Sequence, residues 1–259
     1  MQRPPTRALS LRTLLVRLLS PLVFVATAAP AQAEGDSPQL KPFRATYSAS
    51  LNGMPLGANI SLELSGGQPE WTLALAGSSA LVKYREETRF RWQDCAATPL
   101  RYRYDFSGFG ISRKLWLDFN HATRRVTGES RKGPLSYAVG DDVTDELSLT
   151  MVARCRFANG SPLATFNVAT TKGLRQLSYR MEARETVKTP WGKVEALRVE
   201  RVRNEDDKRQ STLWIAPSLG YVMVKMEHVE KLGVRGSVVL KTLEMAADAM
   251  APATTAAAP

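Results

Sequence analysis

The amino-acid sequence predicts a mainly β fold: a single antiparallel sheet with one central helix. From residue 42 onward apolar residues alternate with polar ones. Turn residues interrupt the alternation at short intervals, and only one segment changes to helical spacing.

Phe43, Ala45, Tyr47, Ala49 and Leu51 alternate with polar neighbours, and Ile60, Leu62 and Leu64 repeat the pattern. Trp71, Leu73 and Leu75 follow. Leu100, Tyr102, Tyr104 and Phe106 share one face of the next strand, with Arg101, Arg103 and Asp105 on the other. Leu115, Leu117 and Phe119 oppose Lys114, Trp116 and Asp118. After residue 160 the period resumes at Leu177, Leu197, Leu213, Val222 and Val238. A period of two with one apolar face describes half-buried antiparallel strands, about a dozen of them. Asn52-Gly53 and Gly66-Gly67 are hairpin turns. Asn120-His121, Asn159-Gly160, Thr189 to Gly192, Asn204 to Asp207 and Pro217 to Gly220 are further breaks. No alternation of strands with helices points to a parallel sheet.

Asp142 to Phe157 is the exception, because Leu147, Met151 and Cys155 lie four residues apart. Thr144 is the expected cap of this helix. Asp145 and Glu146 occupy its first turn, and Arg154 and Arg156 its end, where the dipole favours each charge. The helix is expected to cover a sheet edge or plug the mouth of a curved sheet. Its Cys155 is expected to bridge to Cys95, because an even cysteine count in an exported chain favours a disulfide.

Export itself is read from residues 1–33. Arg3, Arg7, Arg12 and Arg17 precede an apolar stretch, which ends in Ala31-Gln32-Ala33, the small-x-small pattern of a cleaved signal peptide. Cleavage removes four of 35 basic residues, leaving 31 against 25 acidic, net +6. Residues 34–245 are expected to form one β-rich domain, and 246–259 an Ala/Thr/Pro-rich disordered tail. The apolar fraction of 44% excludes a disordered chain, and two cysteines exclude a disulfide scaffold.

Catalytic motifs are missing. His121 and His228 have no second ligand at metal spacing, so no metal site is expected. No Gly-x-Ser-x-Gly, P-loop, dinucleotide fingerprint or EF-hand loop occurs, and no cofactor is implied. The acids from Asp141 to Glu146 are read as helix capping, and Glu86-Glu87 as a charge-paired sheet face. Between residues 101 and 132 there are eight basic residues and three acids, a local surplus that reads either as an ordinary solvated sheet face or as a basic stripe suited to an anionic envelope polymer or lipid head group more than to nucleic acid.

Phe43-x-Ala45-x-Tyr47, Asn52-Gly53 with Gly57, Asp145-Glu146-Leu147-Ser148, Gly192 to Val199 and Trp214-Ile215-Ala216-Pro217 together resemble a periplasmic family catalogued as domain of unknown function 3108, over residues 42–243. The resemblance implies an exported, strongly curved sheet, a half-open barrel or β-spiral with a helix near its middle. It carries no catalytic residues. The expected function is non-enzymatic: a periplasmic protein binding a lipid-like or amphipathic envelope component and supporting envelope integrity. Tyr47, Trp71, Tyr102, Tyr104 and Phe106 are the expected apolar lining, and Arg101 and Arg103 the expected head-group contacts. The same aromatic residues filling a solid core is the alternative. The protein would then be a docking module for another envelope protein or the cell wall. A hydrolase is a third reading, requiring His121 or His228 in a cleft with an acid and a hydroxyl.

Overall fold

The computed structural model describes residues 40–190, 192–202, 210–230 and 233–245. The expected signal peptide and tail lie outside the described residues, as do the Asn204 to Asp207 turn and Trp191.

Among the described residues ten strands precede the helix, the first nine being β1 (Phe43–Leu51), β2 (Met54–Pro55), β3 (Asn59–Gly67), β4 (Glu70–Ser78), β5 (Val82–Gln93), β6 (Ala96–Gly108), β7 (Ile111–Asn120), β8 (Arg125–Ser130) and β9 (Gly133–Ala138). β10 (Val143–Asp145) leads into α1 (Leu149–Ala158). Six more follow: β11 (Leu163–Thr170), β12 (Gly173–Thr189), β13 (Gly192–Arg201), β14 (Gln210–Ala216), β15 (Val222–Val229) and β16 (Arg235–Met245). All sixteen belong to one sheet. Two meanders, β3 to β9 and β11 to β16, are joined where β1 pairs with both β3 and β16.

The sheet is mixed rather than purely antiparallel, because β10 pairs parallel to β11. The strands also outnumber the expected dozen. Short strands such as β2 and β10 have too few residues to show a period. The turn after β3 falls at Gln68-Pro69 instead of Gly66-Gly67, which still pair with β4. Asn52-Gly53 does form its turn, with positive φ at both residues. Gly128 permits the closest strand approach, since a Cβ there would meet the Trp116 carbonyl oxygen at 2.1 Å.

β9 and β10 are the ends of the sheet and do not pair with each other, so it does not close. It curls instead until one end tucks inside the other. The buried Asp145 of β10 accepts a 2.6 Å hydrogen bond from the Thr88 hydroxyl on β5. Tyr137 on β9 donates to the Thr170 carbonyl on β11 at 2.8 Å.

The helix starts later than its spacing suggests. Residues 143–145 are strand, and Thr144 donates to the Asn167 carbonyl instead of capping. Ser148 is the N-cap residue, without a side-chain cap; Asp145 instead braces the turn before the helix, one carboxylate oxygen accepting from the backbone N–H groups of Leu147 and Ser148, both at 2.8 Å. The Ser148 hydroxyl accepts in return from the Asp145 N–H at 3.2 Å. This reciprocal arrangement satisfies backbone donors of the turn that leads into α1. Cys155 on α1 is bridged to Cys95 in the β5–β6 turn, with Cα atoms 5.6 Å apart.

Candidate functional site

The inner face of the curled sheet follows from strand parity. Phe43, Ala45 and Tyr47 of β1, Leu64 of β3, and Trp71 and Leu73 of β4 are buried. Alternate residues of β5 continue this face, so Tyr84, Glu86, Thr88, Phe90 and Trp92 all point inward. α1 lies against it with Leu149, Met151, Val152, Cys155 and Phe157 buried. Between helix and sheet is a cavity of about 670 Å³. Its walls are Ile60, Leu62, Leu75 and Gly77 on one side, Leu213, Ile215, Val222 and Val238 on another, and Leu149, Met151, Ala153 and Phe157 of the helix. Leu56 and Phe109 also line it, yet are 49% and 73% exposed, so they mark its mouth. Met54, Leu81 and Ile111 are exposed apolar residues at the same end of the strands.

Charge enters this apolar space at two places. At the acidic end, Glu86 accepts hydrogen bonds from the hydroxyls of Tyr84 and Tyr102. Burial raises its pKa against those hydrogen bonds. Glu146, solvent-exposed by surface area, borders this cavity and a second, more polar one of about 930 Å³. Its exposure is therefore toward the lumen. Desolvation there, followed by the charges of Glu86 and Asp145, pushes its pKa up to about 7, with Arg175 and Lys172 opposing. Burial also raises the Asp145 pKa, opposed by its four hydrogen bonds.

At the cationic end stands Arg154 of α1, half-buried and bordering the lumen. Its guanidinium donates to the Gly220 carbonyl at 2.7 Å and lies 4.8 Å from the centre of the Phe43 ring. No carboxylate among the described residues pairs with it. Desolvation lowers its pKa to about 10. Tyr47, 3% exposed, borders the same space, and its buried hydroxyl has no hydrogen-bond partner.

The residues expected to bind ligand are dispersed. Tyr47 lines the main cavity, while Tyr102 and Tyr104 line the second. Trp71 is buried in the packed core and Phe106 is half-buried; neither borders either cavity. Arg101 and Arg103 are exposed on the opposite face of β6 from Tyr102 and Tyr104. Arg101 is paired with Asp118 through two hydrogen bonds. Strand alternation, which sends the tyrosines inward, sends these arginines outward and away from the lumen.

Glu86 and Arg154 are the additions. Parity with Thr88 and Phe90 places Glu86 inside, contrary to its reading as part of a charge-paired face. Glu87 does pair with Arg85. Arg154, three residues from Met151, shares the helical stripe that marks α1 as packed.

One constellation has the residue types of a nucleophilic triad. Ser211 Oγ and His228 Nδ1 are 2.8 Å apart, and His228 Nε2 lies 3.3 Å from Glu230. Ser211 and His228 are direct cross-strand neighbours, with Glu230 two residues on. The trio borders neither cavity. His121 contacts the Pro99 carbonyl instead. Among the described residues no group of three His, Cys, Asp or Glu side chains is placed to hold a metal ion, and no helix is long and apolar enough to cross a membrane.

Comparison with known proteins bears on family and fold. The profile of the family described as Protein of unknown function (DUF3108) matches residues 44–241. A crystal structure of a β-barrel-like protein of domain of unknown function DUF1849 from Brucella abortus is similar at a TM-score of 0.53. It is 9% identical and covers 81% of this chain and 99% of that one. A domain assigned to outer membrane lipoprotein sorting from Vibrio parahaemolyticus is 11% identical over 80% of this chain and 86% of that one. Its TM-score of 0.22 is too low to support an argument. No curated protein matches the chain in sequence.

Proposed function

The chain belongs to the DUF3108 family, and from that premise we propose that it is an exported, non-enzymatic protein that holds a lipid-like, amphipathic component of the cell envelope inside its curled sheet. The supporting observation is the apolar cavity between α1 and the sheet. Its volume lies within the range of about 300–1,000 Å³ common for small-molecule sites, and side chains that would otherwise close a core leave it open. Burial of an acyl chain against these walls supplies the affinity, at about 25 cal/mol per Å². The exposed Leu56 and Phe109 offer an apolar path for entry. The Cys95–Cys155 bridge and the leader-like residues 1–33 support an oxidising compartment outside the cytoplasm, the periplasm in this reading.

Gly77 provides the test. It lines the cavity, and a Cβ placed there meets Ile60 and Tyr84 at ordinary contact distances of 3.8 and 3.9 Å. Gly77→Phe is therefore expected to fill the lumen while leaving the strand intact. Titration with the apolar fluorophore phenylnaphthylamine should show saturable binding to the wild-type protein and at least a tenfold loss in Gly77→Phe. Equal behaviour of the two proteins would place any binding outside the cavity.

The exposed apolar rim favours a second reading, a module that docks on another envelope protein. Leu81→Asp with Ile111→Asp, two exposed apolar residues that border neither cavity, separates the two. A docking module loses its partner, whereas a carrier retains phenylnaphthylamine binding.

A further inference from the structure

We propose that Arg154 and the Tyr47 hydroxyl form the head-group site of this cavity, selecting an amphiphile with a single negative charge, a carboxylate or phosphodiester on an acyl chain. The inference rests on the cavity reading above and specifies what that cavity takes.

Arg154 and Tyr47 belong to different elements, α1 and β1, yet border one apolar lumen. A charge facing such a space is ordinarily paired, because removing an ion from water is costly unless a counter-charge offsets it. Arg154 has a backbone carbonyl, an aromatic face and, at 3.6 Å from Nη1, the Met151 sulfur. None of these is an anion, and a thioether is a weak acceptor. Its Nη1 donors therefore remain under-used. The Tyr47 hydroxyl, independently, is a buried polar group with no partner. Buried hydroxyls without a partner are rare in folded proteins. A single acceptor anion between them satisfies both residues.

Two further features narrow the chemistry. One guanidinium neutralises one negative charge, so a dianion would leave buried charge uncompensated. The acids Glu86 and Glu146 border the same lumen elsewhere and repel an anion from that end. The head group is thereby fixed near Arg154, beside Phe43 at the start of β1. The mouth residue Leu56 donates its N–H to the Ala49 carbonyl, six strand positions away. That separation is about 20 Å at the usual rise per residue, and the acyl chain lies along it.

The experiment is displacement of phenylnaphthylamine by palmitate, lysophosphatidylglycerol and the neutral hexadecanol, measured on wild-type, Arg154→Gln and Tyr47→Phe proteins. In the wild type the anionic ligands should compete at least tenfold better than hexadecanol. Arg154→Gln should abolish that preference. Tyr47→Phe, which keeps the ring, should reduce the preference several-fold. Competition by palmitate but not lysophosphatidylglycerol identifies a carboxylate head, and the reverse a phosphodiester. Equal competition by anionic and neutral ligands in the wild type overturns the head-group assignment and leaves the cavity reading standing. Failure of phenylnaphthylamine to bind the wild type overturns both. The wild-type preference does not depend on how the variants fold, and Tyr47→Phe provides a second, milder variant.

Discussion

The two charged ends of the cavity solve the same problem differently. At the acidic end Glu86 receives two tyrosine hydroxyls, and Asp145 receives Thr88 and the N–H groups of Leu147 and Ser148. The hydrogen bonds there are internal and join β5, β6 and β10 to the start of α1. At the other end Arg154 meets a carbonyl and a ring, and the Tyr47 hydroxyl has no hydrogen-bond partner. The acids are therefore mainly structural, fastening the inner end of the curled sheet. In the proposed reading the cation is left for a ligand.

The disulfide tests this contrast most severely, because it holds the C-terminal part of α1, including Arg154. Cys95→Ser with Cys155→Ser releases a loop spanning 60 residues. The expected loss is about 4 kcal/mol in the chain-entropy model, read from urea unfolding. At lower stability the anion preference should fall more than neutral-ligand binding, since the head group depends on the helix position. Asp145→Ala comes next. It leaves the Thr88 hydroxyl and the N–H groups of Leu147 and Ser148 without their acceptor, at a cost of about 3 kcal/mol. If the acidic end were instead a ligand site, this substitution would change binding before it changed stability.

Glu146 gives a smaller, pH-dependent effect. Its folded pKa is raised from 4.5 to about 7. Its contribution is thus a cost that is absent below about pH 4.5, grows as the unfolded chain ionises first, and is complete above about pH 7. Glu146→Gln should flatten this fall in stability and raise the melting temperature at pH 8 relative to wild type. Its access to water in the lumen keeps the gain modest. An unchanged pH profile would show that Glu146 ionises freely. The smallest effect is expected at Ser211. It lies outside both cavities, so Ser211→Ala should change stability by within about 0.5 kcal/mol and leave ligand binding unaltered. Loss of any esterase activity in that variant would instead revive the hydrolase reading.

Much of this architecture is legible in the residues. Alternation in β1 and β6 correctly sends Tyr47, Tyr102 and Tyr104 inward, and the spacing of Met151 and Cys155 locates the packed face of α1. The Cys95–Cys155 pairing follows from cysteine count and context. Less accessible is the start of the helix. Val143–Asp145 pairs with a strand more than twenty residues away, and such non-local pairing overrides a local capping pattern. The basic surplus of residues 101–132 also misdirects, since composition records how many charges a segment holds but not the face each occupies. Arg101 and Arg103 project outward by parity, whereas Arg154, one of two arginines in α1, reaches the lumen. Glu86 shows the converse: its parity with Phe90 is visible, but a carboxylate at an inward position is recognisable as buried only once Tyr84 and Tyr102 are seen to donate to it.

The central claim is that the lumen between α1 and the sheet holds an amphiphile. The most direct measurement is native mass spectrometry of wild-type and Gly77→Phe proteins purified side by side from the periplasm, with extraction and lipid identification of whatever accompanies each. The account predicts an acyl-bearing, singly anionic molecule retained by the wild type and missing from Gly77→Phe. Wild-type protein carrying no such molecule and unable to take up palmitate or hexadecanol on addition would contradict it.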